Sequence, residues 1–222
     1  MRMRKKKHGE ERLAMLSHLI IEKPGEPIRC ARDCFSSDGE LHLEVGCGKG
    51  GFACGMAAKH PNINFFAFEK IADVIVAAAE RAESERDMRK NDNLRFAIGD
   101  AKDICEWFAP SSVDTLYLNF SDPWPKKKHY KRRLTYRAFL SSFFNIIKDG
   151  GYLRFKTDNR DLFEFTLSEL AEMGIVPEIL TFDLHNSVYD EENVRTEYER
   201  NFSGKGYAIN MLAVRVKKQD TL

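Results

Sequence analysis

A glycine-rich turn follows the first apolar, strand-like run of the chain and has the form of a ligand cradle. Gly46, Gly48 and Gly51 satisfy the spacing G-x-G-x-x-G. Glycines let the backbone turn sharply and let a ligand approach without a Cβ in the way. We predict that Gly46 and Gly48 line a cofactor site. The spacing alone also admits a dinucleotide, so the neighbouring residues have to identify the ligand.

Three carboxylates stand at the ends of three successive predicted strands. Glu44 precedes the first glycine by two residues, Glu69 ends the second strand and Asp100 follows the third. Glu44 would repel a dianionic pyrophosphate but would suit the cationic sulfonium and ammonium end of S-adenosylmethionine. Glu69 can accept both ribose hydroxyls, as in NAD sites, and Asp100 can accept from the adenine amino group. We therefore predict a site for S-adenosylmethionine, and the alternative is that these acids only cap the helices that follow.

The loop after the fourth predicted strand combines an acid, an aromatic ring and a run of cations. Pro123 and Pro125 fix φ on either side of Trp124 and present Asp122 with little freedom. Trp124 could stack on a base or pack under the loop. The segment 126–133, KKKHYKRR, could grip phosphates, although such a run taken alone is more often a solvated loop. In combination with the glycine turn, these residues predict a pocket for a nucleobase and a cationic surface that binds the phosphate backbone of the nucleic acid.

An alternation of strands and helices positions these groups. The apolar pattern predicts strands at 40–45, 63–69, 93–99, 113–119 and 151–156, and helices at about 52–60, 71–90, 101–108, 135–148 and 159–173. Such alternation favours a mostly parallel sheet with helices on both faces. Two late strands, 176–182 and 207–216, lack a full crossover helix and predict an antiparallel pair at the sheet edge. The clearest helix, 71–90, has a predicted buried face formed by Ile71, Val74, Ile75, Ala78 and Ala82.

Composition and charge restrict the class of protein. The 222 residues, with a net charge of +1, suit one α/β domain, 37–222, preceded by a basic extension, 1–36, with a candidate helix at 9–20. Residues 1–8 have the composition of a disordered tail. No apolar run is long enough for a membrane span and no secretory signal is present, so we expect a cytoplasmic protein. Of the five cysteines only Cys30 and Cys34 come close to a paired spacing, and no second pair accompanies them, so we expect reduced thiols and no metal site.

Six stretches spread over residues 43–199 carry a family resemblance. They are LEVGCGKGGF (43–52), AFEK (67–70), GDA (99–101), YLNFSDPWPKKKHYKRRL (117–134), FKTDN (155–159) and TEYE (196–199). On these residues the chain resembles the bacterial tRNA (guanine-N7-)-methyltransferases. NFSDPWPKK is the most specific of the matching runs, whereas the glycine turn alone is not specific.

The resemblance implies a fold, a cofactor and a set of site residues. The fold is a Rossmann-like, seven-stranded, mostly parallel sheet with one antiparallel strand and helices on both faces. The resemblance implies that S-adenosylmethionine is bound by Glu44, Glu69, Asp100 and Asp122, and that Asp122 is also the active-site carboxylate. It implies contacts with the tRNA substrate at Lys126, Asp158, Thr196, Tyr198 and Glu199. Capping remains an alternative for some of these, because Asp158 could N-cap the following helix and Thr196 with Glu199 has the T-x-x-E spacing of a capping box.

The expected reaction is methyl transfer to N7 of a guanine in tRNA, in the variable loop by family resemblance. Guanine N7 carries an in-plane lone pair and no proton, so it can attack a sulfonium methyl without a base. An amino-group methyltransferase acting on adenine or cytosine is the nearest alternative, because DPWP (122–125) is similar in kind to the Asn/Asp-Pro-Pro-aromatic motif of those enzymes. An NAD-dependent dehydrogenase and an RNA-binding module without catalysis are further alternatives, the former disfavoured by Glu44. The sequence leaves open whether the protein is a monomer or a homodimer.

Overall fold

One sheet forms the centre of the computed structural model, which describes residues 8–204 and 206–218. Residues 1–7 of the predicted disordered tail lie outside the described residues. Within the described part the strands are β1 (Leu41–Val45), β2 (Asn64–Glu69), β3 (Leu94–Ile98), β4 (Val113–Asn119), β5 (Ile147–Thr157), β6 (Ile179–Thr181) and β7 (Asn210–Arg215). They are arranged in the order β3-β2-β1-β4-β5-β7-β6.

The strand directions confirm the predicted topology. All neighbouring pairs among β1 to β5 are parallel. β7 is antiparallel to both β5 and β6, so it is the one reversed strand and lies between them. The predicted antiparallel pair of late strands is therefore present at this edge of the sheet.

The helices lie close to their predicted positions but several are shorter. In the described residues they are α1 (Gly9–Met15), α2 (Gly51–Lys59), α3 (Ala72–Ser84), α4 (Ile104–Trp107), α5 (Arg137–Ile146), α6 (Arg160–Glu172) and α7 (Glu197–Ser203). α3 ends at Ser84 rather than at residue 90 and is followed by a 3-10 turn, and the Arg89 guanidinium folds back and donates to the last-turn carbonyl of Ala82 (2.7 Å). Ile71, predicted on its buried face, precedes the helix and is 50% exposed.

Helices cover both faces of the sheet, and the alternation of side chains along each strand places a polar residue on one face or the other. Phe52 of α2 and Ile75 of α3 pack on one face, and residues of α4, α5 and α6 pack on the other. Leu43 and Val45 belong to the cluster under α4 to α6. Because side chains alternate along a strand, Glu44 between them points to the face that carries α2.

Part of the predicted N-terminal extension packs against the domain. Leu19 and Ile28 are buried, and isolated bridges join Ile20 to Phe96 and Ile28 to Phe108. The candidate helix at 9–20 is α1 followed by a 3-10 turn at Ser17–Leu19. Among the described helices, none combines the length and apolar character needed to cross a bilayer.

Candidate active site

The glycine turn between β1 and α2 is fixed to the sheet on one side and open on the other. Gly46 (φ 80°) and Gly48 (φ 55°) adopt left-handed backbone conformations, which glycine enters at little steric cost. The amides of Gly46 and Cys47 donate to the carbonyl of Phe68 on β2 (2.7 and 3.2 Å). A Cβ built on Gly46 or Gly48 would meet no described atom within 4 Å. The open side of the turn therefore leaves space for a ligand.

Glu44 is a buried carboxylate, 5% exposed, at the end of β1. Its Oε1 accepts from Nδ2 of Asn119 on β4 (2.8 Å), whereas Oε2 is buried without a hydrogen-bond partner among the described residues. Burial raises the pKa of Glu44 to about 7, against the opposing effect of the Asn119 hydrogen bond. A buried acceptor without a donor is costly, and a cationic amino group would satisfy it. This residue therefore fits the amino-acid end of S-adenosylmethionine.

Glu69 and Asp100 lie at the ends of the next two strands and are joined through backbone and lysine contacts. Oε2 of Glu69 accepts from the Gly48 amide (3.2 Å), and its Oε1 accepts from the amides of Lys70 (2.8 Å) and Ile71 (3.1 Å). Asp100 accepts from Nζ of Lys70 (2.7 Å). It also caps the 3-10 turn that follows β3, as the capping alternative predicted. Glu69 therefore contacts the glycine turn directly, whereas the Asp100 side chain is connected to Glu69 through Lys70.

The loop after β4 presents Asp122 on a constrained backbone. Phe120 (φ 53°) and Trp124 (φ 42°) both adopt left-handed conformations that are uncommon for bulky residues. The Arg133 side chain holds the loop by donating to the carbonyls of Pro123 (2.9 Å) and Trp124 (3.3 Å). Asp122 itself is exposed. The loop therefore holds a solvent-accessible carboxylate in a fixed place, and strain of this kind is typical of functional sites.

The basic run beyond Asp122 is organised around the Trp124 ring. The guanidinium of Arg132 lies 5.0 Å from the centre of this ring, and His129 packs edge-on against it at 5.8 Å. Lys126 is exposed at the start of the 3-10 turn Lys127–Arg132. Trp124 is thus packed beneath the basic run, one of the two arrangements that the sequence left open.

Asp158 and Tyr198 meet next to the loop of Asp122. The hydroxyl of Tyr198 lies 3.5 Å from Oδ2 of Asp158, and its ring centre lies 5.0 Å from that of Phe120. Asn159, rather than Asp158, N-caps α6 by accepting from the Leu162 amide (2.8 Å). The capping alternative for Asp158 is therefore wrong, and the carboxylate is left facing α7.

Thr196 and Glu199 form the capping box that their spacing allowed. The Thr196 hydroxyl accepts from the Glu199 amide (2.9 Å), and the Glu199 carboxylate accepts from the Thr196 amide (3.2 Å). Glu199 is fully buried. Its expected contact with substrate remains a prediction, and the structure places its carboxylate inside the protein, in contact with Lys156 and His185.

Two residues near the site were not singled out from the sequence. Asn119 binds Glu44, and Lys156 is buried opposite Asn119 in the β4–β5 register. The available signal was a lysine within a strand that was predicted to be covered on both faces, where a charged side chain requires a partner. That partner, Glu199, could not be found from spacing, because it lies 43 residues further along the chain.

Solved methyltransferases share this fold. The 16S rRNA methyltransferase KamB has a TM-score of 0.60 at 13% identity, over 81% of this chain and 88% of that one. An antibiotic-related methyltransferase has a TM-score of 0.58 at 14% identity, over 96% of this chain and 95% of that one. Phosphoethanolamine N-methyltransferase 2 of Haemonchus contortus, solved with S-adenosyl-L-methionine, has a TM-score of 0.51 at 15% identity, over 94% of this chain and 53% of that one. At such identities the similarity shows the fold alone.

A family model covers most of the chain and includes every motif described above. The model of the methyltransferase family Methyltransf_4 matches residues 38–212, from before β1 into β7. The match confirms the resemblance found in the sequence and the use of S-adenosylmethionine. The chain belongs to Methyltransf_4, the family of the tRNA (guanine-N7-)-methyltransferases, and is an S-adenosylmethionine-dependent methyltransferase.

Proposed function

We propose that this protein methylates N7 of a guanine in tRNA. The observation that carries the proposal is the position of Asp122. Its exposed carboxylate lies on a constrained loop that begins at the end of β4, next to β1 with Glu44, and continues into an exposed basic run. The carboxyl ends of the parallel strands thereby combine a cofactor site, an acid that can face a base, and a cationic surface.

On the cofactor side, the proposal assigns one part of the ligand to each acid. Glu44 would hold the amino group, because its free oxygen is a buried acceptor. Glu69 would accept from the ribose hydroxyls next to Gly48, and Asp100 would accept from the adenine amino group. S-adenosylmethionine, when bound, supplies a methyl group on a positively charged sulfur. The protein's contribution is to fix that group in line with the acceptor.

On the acceptor side, the proposal requires positioning rather than proton removal. Guanine N7 attacks through its lone pair, and the purine becomes positively charged as the methyl group arrives. The Asp122 carboxylate would stabilise this charge, or accept from the N1–H and amino edge of guanine, which would select the base. Tyr198 and Asp158 would form the opposite wall of the pocket, where their side chains already meet.

The polyanionic character of tRNA matches the surface around this pocket. Lys126, Lys127 and Lys128 are exposed and adjacent, and Lys131 follows on the same turn. Phosphate contacts from such residues supply much of the affinity of proteins for nucleic acids without reading sequence. We therefore propose that this surface binds the tRNA backbone while the Asp122 loop selects the base.

The decisive experiment identifies the methylated nucleoside. Bulk tRNA lacking the modification is incubated with the protein and isotopically labelled S-adenosylmethionine, digested to nucleosides and analysed by mass spectrometry. We expect label in 7-methylguanosine. Label in N6-methyladenosine or N4-methylcytidine would instead support the amino-group alternative. An absence of label in every nucleoside would contradict a tRNA methyltransferase.

A further inference from the structure

Lys156 on β5 is buried, and all three of its ammonium hydrogens have acceptors. Nζ donates to Oδ1 of Asn193 (2.9 Å), to the carbonyl of Val194 (3.0 Å) and to Oε2 of Glu199 (2.6 Å). An ammonium group has three donors, so no donor remains for a ligand. The lysine therefore serves contacts within the protein, two of them on the segment that leads into α7 and one, Glu199, in the first turn of α7 itself.

Glu199 is saturated in the same way. Its Oε2 accepts from Lys156 and from the Thr196 amide, and its Oε1 accepts from Nδ2 of Asn193 and Nε2 of His185, both at 2.8 Å. A carboxylate offers about four lone-pair sites, and four donors occupy them here. Since Glu199 is also 0% exposed, its carboxylate has no acceptor left for a substrate.

The backbone of Lys156 contacts the Asp122 loop, on the side of the pocket opposite Tyr198. Its carbonyl accepts from the Phe120 amide (2.9 Å), the first amide of the Asp122 loop. Its ammonium lies 5.9 Å from the centre of the Phe120 ring, which in turn contacts Tyr198 on α7. One residue thus holds the Asp122 loop through its main chain and the segment leading into α7 through its side chain.

A buried ion pair of this kind is a weak source of stability, because removing two charges from water costs about as much as their attraction returns. We propose that Lys156, through Glu199, is a positioning residue that sets the separation between the Asp122 loop and Tyr198. The proposal rests on the proposed function for the identity of the pocket. It also assigns Glu199 a supporting role in place of the direct substrate contact implied by the family resemblance.

The test replaces Lys156 by methionine, which keeps the unbranched side chain as far as Cε and removes the ammonium group. We expect faster amide hydrogen exchange across residues 193–203 in the free protein. We also expect kcat/KM for tRNA to fall about a hundredfold, the effect of a misplacement near 1 Å, with little change in affinity for S-adenosylhomocysteine. Exchange is measured by mass spectrometry and affinity by calorimetry, and neither requires tRNA. These two measurements therefore decide the positioning role even if the proposed methyl acceptor is wrong.

Lys59→Met is the matched control. Lys59 on α2 also holds this segment, through the Glu191 carbonyl and the Glu192 carboxylate, both at 3.1 Å, but it makes no contact with Glu199. We expect this variant to leave exchange in α7 and turnover close to those of the native protein. If Lys59→Met damaged both as much as Lys156→Met, or if Lys156→Met left exchange in 193–203 unchanged, the specific role of Lys156 would be refuted.

A double-mutant cycle separates action through Glu199 from a general loss of structure. Glu199→Gln removes the charge that Nζ of Lys156 binds and nearly keeps the shape of the side chain. We expect Lys156→Met, Glu199→Gln and the double variant to lose similar amounts of kcat/KM, because residues that act through one contact are not additive. Losses of the two single variants that multiply in the double variant would overturn the proposal.

Discussion

Asp122 is the residue whose loss should affect catalysis most with least effect on folding. Its carboxylate is exposed and accepts no hydrogen bond from the described residues, so Asp122→Ala leaves no buried group unpaired. We expect the free energy of unfolding to change by less than about 0.5 kcal/mol. Turnover should fall about 10²–10³-fold, as on removal of one group that stabilises developing charge. Single-turnover methylation of tRNA and thermal unfolding measure the two effects.

Asp87→Ala controls for the loss of an exposed acid. Asp87 lies in the 3-10 turn Arg86–Met88 after α3, at the opposite edge of the sheet from the glycine turn. Its replacement should leave turnover unchanged. Near-native turnover by Asp122→Ala would remove Asp122 from the active site.

Glu44 should make cofactor affinity depend on pH. Burial raises the pKa of Glu44 to about 7, so the carboxyl is largely protonated at about pH 6 and ionised at about pH 8. A cationic ligand binds the ionised form, so affinity for S-adenosylmethionine should rise with pH and level off above the pKa. Below the pKa the expected change approaches tenfold per pH unit. Calorimetry should also detect proton release on binding near neutral pH.

Glu44→Gln is the isosteric control for that titration. Its amide oxygen can still accept from Asn119, but the site loses the charge that attracts the ligand. We expect weaker binding with no rise between about pH 6 and about pH 8. A native protein whose affinity is flat over this interval would show that Glu44 is not the group that faces the cation.

At the level of elements, the first four strands were predictable because their signal is local, whereas β5 begins at Ile147, four residues before its predicted start, and β6 is shorter than its predicted span of 176–182. The predicted span 113–119 coincides with β4, and the spans for β1, β2 and β3 each differ from the structure by at most one residue at either end. The end of α3 was placed too far along the chain, at residue 90 rather than Ser84, and the hydrogen bond from Arg89 back to the Ala82 carbonyl has no signature in the apolar periodicity. The role of Glu199 depends on Lys156, 43 residues away in the chain, and no periodicity reports such a pair.

The basic 3-10 turn after β4 should behave as a phosphate clamp that contributes little to folding. Lys127, Lys128 and Lys131 are exposed, whereas Arg133 holds the loop carbonyls and is left intact. Replacing the three lysines by alanine should weaken tRNA binding and reduce the slope of log affinity against log salt by about 2. Filter binding over a series of salt concentrations measures the slope.

Lys90→Ala is the control for these lysines. Lys90 is exposed between α3 and β3, at the edge of the sheet away from the glycine turn. Its replacement should leave the slope unchanged. If the triple variant kept the native slope, tRNA phosphates would bind elsewhere on the protein.

The strand order of the whole molecule explains how distant segments reach one site. The order β3-β2-β1-β4-β5 changes direction between β1 and β4, and a crevice opens where neighbouring connections leave the sheet on opposite sides. The glycine turn leaves β1 and the Asp122 loop leaves β4, so the two motifs flank this crevice. The alternation of strands and helices therefore predicted where the site lies. The position of α7 beside the site could not be predicted in this way, because it is set by the reversed strand β7 that follows it and by contacts with Lys156 on β5.

This arrangement also predicts which cofactor stabilises the folded protein. S-adenosylmethionine at a hundred times its dissociation constant should add about 2.7 kcal/mol to the free energy of unfolding. For a domain of this size, that corresponds to a rise of about 5–10 °C in Tm. At about pH 8, where Glu44 is ionised, NAD should produce no rise, because the buried Glu44 carboxylate beside the glycine turn repels a pyrophosphate. Thermal unfolding of the full chain with each ligand tests this, with Glu44→Gln expected to lose most of the shift. Stabilisation by NAD and none by S-adenosylmethionine would contradict the assignment of these acids to a cationic methyl donor.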